Sequence, residues 1–147
     1  MTLDALKAQL NGFVQSMHDE GLLDHNFDQV RALRDPNNPR FLPDLINGFC
    51  NDTERRINDL TGYLDQPTVD YHRIAEFVHQ LKGSSSSIGA YHVYLACLDL
   101  DQAVDATYKE GCLLALNRIK HEFYHLHGKF QTIVQLENSI LAYGARP

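Results

Sequence analysis

Residues 74–90 read Ile74-Ala75-Glu76-Phe77-Val78-His79-Gln80-Leu81-Lys82-Gly83-Ser84-Ser85-Ser86-Ser87-Ile88-Gly89-Ala90. Taken by propensity alone, a glycine followed by four serines is a loop. The apolar phase says otherwise. Ile74, Phe77, Val78 and Leu81 set a helical stripe, and Ile88 meets it again two heptads after Ile74. The register survives the serines, so the segment is expected to be one continuous helix with a stripped-down surface, capped by Asp70 and broken at Gly89. At about 100° per residue, the stripe centres near Ile74, Leu81 and Ser85, and His79 falls about 150° from it. Its neighbours along that outer strip are Ala75, Lys82 and Gly83, with Ser86 and Ala90 further on. An imidazole therefore stands in solvent among side chains too short to shield it.

Working outward, the other segments share the helical period. Leu3, Leu6, Leu10, Phe13, Val14 and Met17 make a first helix ending near Gly21, and Phe27, Val30 and Leu33 a short second one. The run Asp35-Pro36-Asn37-Asn38-Pro39 breaks the chain. A third helix carries Phe41, Leu45, Phe49, Ile57, Leu60 and Leu64 and stops before Pro67. After the 74–88 helix, Val93, Cys97, Leu100 and Val104 form a fifth, expected to end near Gly111. The sixth runs from about Cys112 through Leu116, Phe123 and Phe130 to Val134 or beyond. No segment alternates as a strand does. The pattern predicts an all-α fold: an antiparallel four-helix bundle over about 41–147, with two additional N-terminal helices over about 1–40, in a single domain 1–147.

Composition narrows the function. The 147 residues are 44% hydrophobic and 22% charged, which fits a folded domain rather than a disordered chain. A net charge of -6 argues against nucleic acid and against an anionic membrane as partners, because both need clustered cations. No run approaches the about 18 apolar residues of a membrane span, and the N-terminus does not read as a secretory signal. Cys50, Cys97 and Cys112 form no CxxC pair and suit free thiols in a reducing compartment.

The exposed ring suits nucleophilic chemistry. A neutral imidazole, with an ordinary pKa of about 6.5, is largely unprotonated near pH 7 and can attack phosphorus. Lys82, at i+3, is expected to attract an incoming anion and to disfavour the imidazolium. Gly83, lacking a Cβ, leaves room for a phosphoryl group and for the rim of a second protein.

The run His79-Gln80-Leu81-Lys82-Gly83-Ser84-Ser85-Ser86-Ser87-Ile88-Gly89-Ala90 resembles the signature of plant histidine-containing phosphotransfer (HPt) proteins of cytokinin phosphorelays. The likeness extends to FLPDLINGFCNDTERRINDL, to the Glu110-Gly111-Cys112 turn and to the overall length. It implies a phosphorelay intermediate in which His79 is the phosphoacceptor. The phosphoryl group would come from an aspartyl phosphate on the receiver domain of a hybrid histidine kinase and pass to an aspartate of a response regulator. Lys82 would give electrostatic support, Gly83 steric clearance, and Gln80, Ser84, Ser86, Ala75 and Ala90 a docking surface. The resemblance further implies a monomer, found in cytoplasm and nucleus, that is a phosphocarrier and no enzyme. One position departs from the family. Where relatives carry an arginine a few residues after the cysteine matching Cys97, this chain has Asp101, on the flank of the fifth helix. Asp101 is expected to face His79, either orienting the ring by a hydrogen bond or repelling the phosphoryl group.

Rival readings fare less well. His121 and His125 share a helix face by their i, i+4 spacing, yet that face is solvent-facing and a third ligand is missing, so no metal is expected. His72 and His79 lie two turns apart, too far for joint chelation. Lys82-Gly83-Ser84 lacks the leading glycine and strand of a P-loop, and no kinase motif or serine elbow is present. The chain should thus hold no cofactor of its own, with Mg²⁺ supplied by the partner receiver. The remaining alternative is a receiver-docking interaction module with weak or no phosphotransfer, as in relatives that lack the histidine.

Overall fold

In a computed structural model describing residues 2–144, six helices follow one another: α1 (Leu3–Asp19), α2 (His25–Ala32), α3 (Phe41–Leu64), α4 (Tyr71–Ile88), α5 (Tyr91–Asp105) and α6 (Lys109–Gly144). Among the described residues β-structure is limited to two isolated bridges, Leu23 with Ala90 and Asp35 with Asn38. Three helices open on side-chain caps, of which Asp70 is the one expected from the sequence. Thr2 Oγ1 accepts from the Ala5 amide, an Asp24 carboxylate oxygen from Asn26, and Asp70 Oδ1 from Arg73, each satisfying a first-turn N–H.

Helices α3 to α6 close into the expected antiparallel bundle, each packed against two others of the four. The N-terminal pair dock on its outside, α1 against the long α6 and α2 against α4. Four phenylalanines tie three helices together at the centre. Phe27 of α2 stacks on Phe130 of α6 with ring centroids 5.8 Å apart, and Phe49 of α3 meets Phe130 and Phe123 edge-on at 6.1 and 6.4 Å. Cys50, Cys97 and Cys112 are buried free thiols. Burial pushes those of Cys50 and Cys97 up to about 12, so they are protonated and unreactive near neutrality.

α4 runs unbroken through its serines, as its phase required. Ile74, Val78, Leu81, Ser85 and Ile88 are buried, while His79 is exposed. The helix stops at Gly89, whose φ of 78° lies in the left-handed region. This stop is also a junction. Gly89 O accepts from the Asp24 amide at 3.0 Å and Leu22 O accepts from the Tyr91 amide at 3.2 Å, so the α1–α2 connection is stitched to the α4–α5 turn. A Cβ on Gly89 would come within 2.4 Å of the Phe27 backbone nitrogen.

Two boundaries differ from expectation. α5 ends at Asp105 rather than near Gly111, and α6 begins at Lys109, so Glu110-Gly111-Cys112 is the first turn of a helix. The reversal is made by Ala106-Thr107-Tyr108, with Thr107 at a φ of 50°. Gly111 serves closeness there: a Cβ would sit 2.7 Å from Tyr108 Cδ1. An ion pair to a buried carboxylate was not foreseen either. Glu137 of α6, 1% exposed, accepts from Arg34 in the α2–α3 connection, giving a buried carboxylate its counter-charge and pinning that segment to the bundle.

Three substitutions separate the roles of these positions in urea denaturation. Gly89→Ala is expected to cost about 2–4 kcal/mol, from left-handed strain plus the collision with Phe27. Leu81→Ala, on the core face of α4, is expected to cost about 2–5 kcal/mol, whereas His79→Gln on the opposite face should leave the unfolding midpoint where it is.

Candidate functional site

From Gly83 to Ser87 the outer face of α4 carries only short side chains, and Ser84 and Ser87 turn their hydroxyls back along the helix. Ser84 Oγ donates to Leu81 O at 3.2 Å and Ser87 Oγ to Gly83 O at 2.9 Å. Such back-bonding satisfies the hydroxyls locally and leaves no long side chain on the surface. Gly83 extends the gap, since a Cβ there would meet nothing within 4 Å. His79 is exposed on this ridge, and no hydrogen bond or ion pair to its ring is formed among the described residues. Both ring nitrogens are open to a visiting molecule.

The flanks carry charge. Lys82 Nζ donates to Asp101 Oδ2 of α5 at 2.7 Å, with the two side chains 27% and 35% exposed. That hydrogen bond holds the Lys82 ammonium above its ordinary value, against an opposing effect of burial. The expected contact between Asp101 and the His79 ring is not formed. A flexible four-carbon stem brings a full positive charge to the carboxylate, and an ammonium is a stronger partner for it than a neutral imidazole. On the opposite flank, Gln80 Oε1 accepts from Arg56 Nε of α3 at 3.2 Å. Arg56 was not singled out in the sequence: its phase sets it off the α3 stripe but does not say which helix it meets.

The remaining docking candidates divide. Gln80 is exposed, and Ser84, Ser86 and Ala75 are half-buried on the outer side of α4. Ser86 also lends its carbonyl to Asn26 Nδ2 at 3.0 Å, anchoring α2. Ala90 does not belong to the surface. It is fully buried and bridged to Leu23, because the turn at Gly89 carries the chain inward before the outer strip reaches it. His121 and His125 are exposed on α6, and no group of three metal-ligating side chains occurs among the described residues.

Alongside the serines lies a feature the sequence did not disclose. A cleft of about 480 Å³ opens between α2, α3 and α4, lined mainly by Val30, Leu33, Phe41, Leu45, Phe49 and Ile88, with Ser84 and Ser87 on its α4 wall. Leu33 is 65% exposed there. Each of these residues counts as an apolar position of an amphipathic helix, and periodicity does not tell which of them the fold leaves uncovered.

Comparison with known proteins agrees with this geometry. The Hpt domain family matches residues 44–129. The chain is 40% identical over 144 residues to histidine-containing phosphotransfer protein 2 of Oryza sativa subsp. japonica, covering 97% of each. It is 36% identical over 146 residues to pseudo histidine-containing phosphotransfer protein 6 of Arabidopsis thaliana, covering 98% of this chain and 95% of the other. The crystal structure of a rice histidine-containing phosphotransfer protein superposes with a TM-score of 0.90 at 39% identity, over 95% of this chain and 98% of that one. No described helix is long and apolar enough to cross a membrane. A bare, solvent-facing histidine on the central helix of a four-helix bundle, matched along nearly the whole length, places the chain in the Hpt domain family, among the plant histidine-containing phosphotransfer proteins.

Proposed function

We propose that the chain is a phosphorelay intermediate in cytokinin signalling, with His79 as the acceptor. It takes a phosphoryl group from the receiver domain of a hybrid histidine kinase and delivers it to a response regulator. The observation that carries this reading is the exposed, unpartnered His79 ring beside the open surface at Gly83. The lone pair of one ring nitrogen attacks the phosphorus of the donor's aspartyl phosphate. A P–N bond forms as the P–O bond to the aspartate breaks, and the carboxylate leaves with the bonding pair. The other ring nitrogen keeps its proton or releases it to water. Unloading onto the next aspartate is the same exchange in reverse.

Each flank has a part in that exchange. The partner receiver would supply Mg²⁺ and its carboxylates, which neutralise charge on the phosphoryl oxygens. The chain's own share is to present the nucleophile, to admit the partner's rim over Gly83, and to hold the partner. The cleft lined by Leu33, Leu45 and Phe49 adjoins the serine ridge and supports docking of an apolar surface there. A carrier must release each partner, so a small interface, near about 1,200 Å² in total, suits the task. The same reading has the chain monomeric and acting in cytoplasm and nucleus, where kinase receivers and response regulators would both be within reach.

Incubation with a radiolabelled phospho-receiver tests this. Wild type is expected to take up label that is acid-labile and base-stable, the behaviour of a phosphorus–nitrogen bond, and His79→Gln to take up none while keeping its helical spectrum. Absence of label on a folded wild type that still binds the receiver would favour the docking-module alternative. Gly83→Gln should fold normally but slow transfer at least about tenfold by filling the clearance; transfer at the wild-type rate would contradict the steric role.

A further inference from the structure

We propose that Asp101 is a positioning residue that acts on phosphotransfer through Lys82, holding the ammonium away from the phosphoryl group and so biasing His79 toward the unloaded state. The inference rests on His79 being the acceptor. It follows from how charge is distributed around the ring rather than from the ring itself.

Lys82 lies one turn beyond His79 on α4, on the same outer strip, where an ammonium could meet the oxygens of a phosphorylated ring. Its Nζ is instead engaged by Asp101 Oδ2 at 2.7 Å. Both side chains are about two-thirds covered, so this pair is screened less than one lying free on the surface. α5 has no Lys or Arg to take over the role, and its one histidine, His92, faces Glu122 of α6. Between Tyr91 and Asp105 it carries Asp99, Asp101 and Asp105 but neither Lys nor Arg, and Asp99 is already paired with Arg118 of α6. Asp101 itself has no second hydrogen-bond or ion-pair partner among the described residues. Buried Cys97, Leu100 and Val104 fix the backbone that presents it.

The consequence concerns the loaded state. As the P–N bond to His79 forms and the P–O bond to the donor aspartate breaks, about two negative charges arrive on the strip. Asp101 neither gives nor takes a proton in that step. Lys82 must then leave the carboxylate to meet the phosphoryl oxygens, or stay and leave them without a cation. Either course disfavours phospho-His79 relative to the same chain without the carboxylate, and hastens delivery to the next aspartate.

The test measures the equilibrium ratio of phospho-His79 to phospho-receiver, alongside loading by the small donor phosphoramidate, which needs no receiver. Asp101→Asn, isosteric and partly exposed, is expected to raise the ratio about fivefold to tenfold at low ionic strength. The gain should shrink near 1 M salt, where the Debye length falls to about 3 Å. Asp101→Glu should stay near wild type. In a Lys82→Met background the Asp101→Asn gain should largely vanish, the coupling expected when one residue acts through the other. A labelled wild type whose ratio is unchanged or lowered by Asp101→Asn overturns the inference and leaves the acceptor role of His79 standing. An undiminished gain in the Lys82→Met background overturns it too, since Asp101 would then repel the phosphoryl group directly. If neither donor labels any of these chains, the acceptor reading falls, and this inference with it.

Discussion

Everything in this molecule turns on α4 staying helical across Gly83-Ser84-Ser85-Ser86-Ser87. Those five residues give up about 2–3 kcal/mol of helix propensity relative to alanine. Against that stands the burial of Ile74, Val78, Leu81 and Ile88 on the opposite face, each contributing about 1.5–3 kcal/mol. Packing wins by a wide margin, and the weak formers are carried along. Ser84 and Ser87 also soften their own cost by bonding back to the Leu81 and Gly83 carbonyls. A rigid helix with one face packed and the other shorn is the outcome, and it presents an imidazole in a fixed direction without enclosing it.

That face was legible in the sequence because one period ties its two sides together. Once Ile88 is seen to continue the phase of Ile74, the burial of Ser85 and the exposure of His79 follow from the same angle. The helix start at Asp70 and the stop at Gly89 were legible for a local reason: caps are short-range chemistry between a side chain and its own first turn. The end of α5 was misplaced because Gly111 reads as a stop signal. It is instead small so that Tyr108 and Ala103 can come close, a tertiary demand that no local rule reveals.

What lies across helices was the hard part. Ala90 fits the outer strip by angle, but the turn at Gly89 removes it from that helix, and its pairing with Leu23 depends on a segment more than sixty residues away. Asp101 was placed on the correct flank, yet its partner is decided by reach: the stem of Lys82 crosses to α5 and its full charge takes the carboxylate. Arg56 and the Leu33–Leu45 cleft arise only when α2, α3 and α4 are assembled. Angles within one helix can be read from spacing. Distances between helices require the fold.

The assembled site separates two tasks that respond to different forces. In the proposed relay, holding a partner would fall to the mainly apolar cleft, where attraction between apolar surfaces is short-ranged. In that proposed relay, setting how readily the ring is loaded would fall to the Lys82–Asp101 pair, whose effect would be electrostatic and screened by salt. Because the large apolar side chains of the cleft come mainly from α2 and α3, and it shares only α4 with the α4–α5 ion pair, substitutions at Leu33 or Leu45 need not disturb that pair. A carrier benefits from that separation. Affinity adjusts how long a visitor stays, whereas the charge beside the ring adjusts which way the phosphoryl group runs during the visit. With a net charge of -6, the chain has little long-range attraction for an anionic donor, so local cations matter more. On the proposed reading, one carboxylate set against one ammonium would move the balance between taking the group and passing it on.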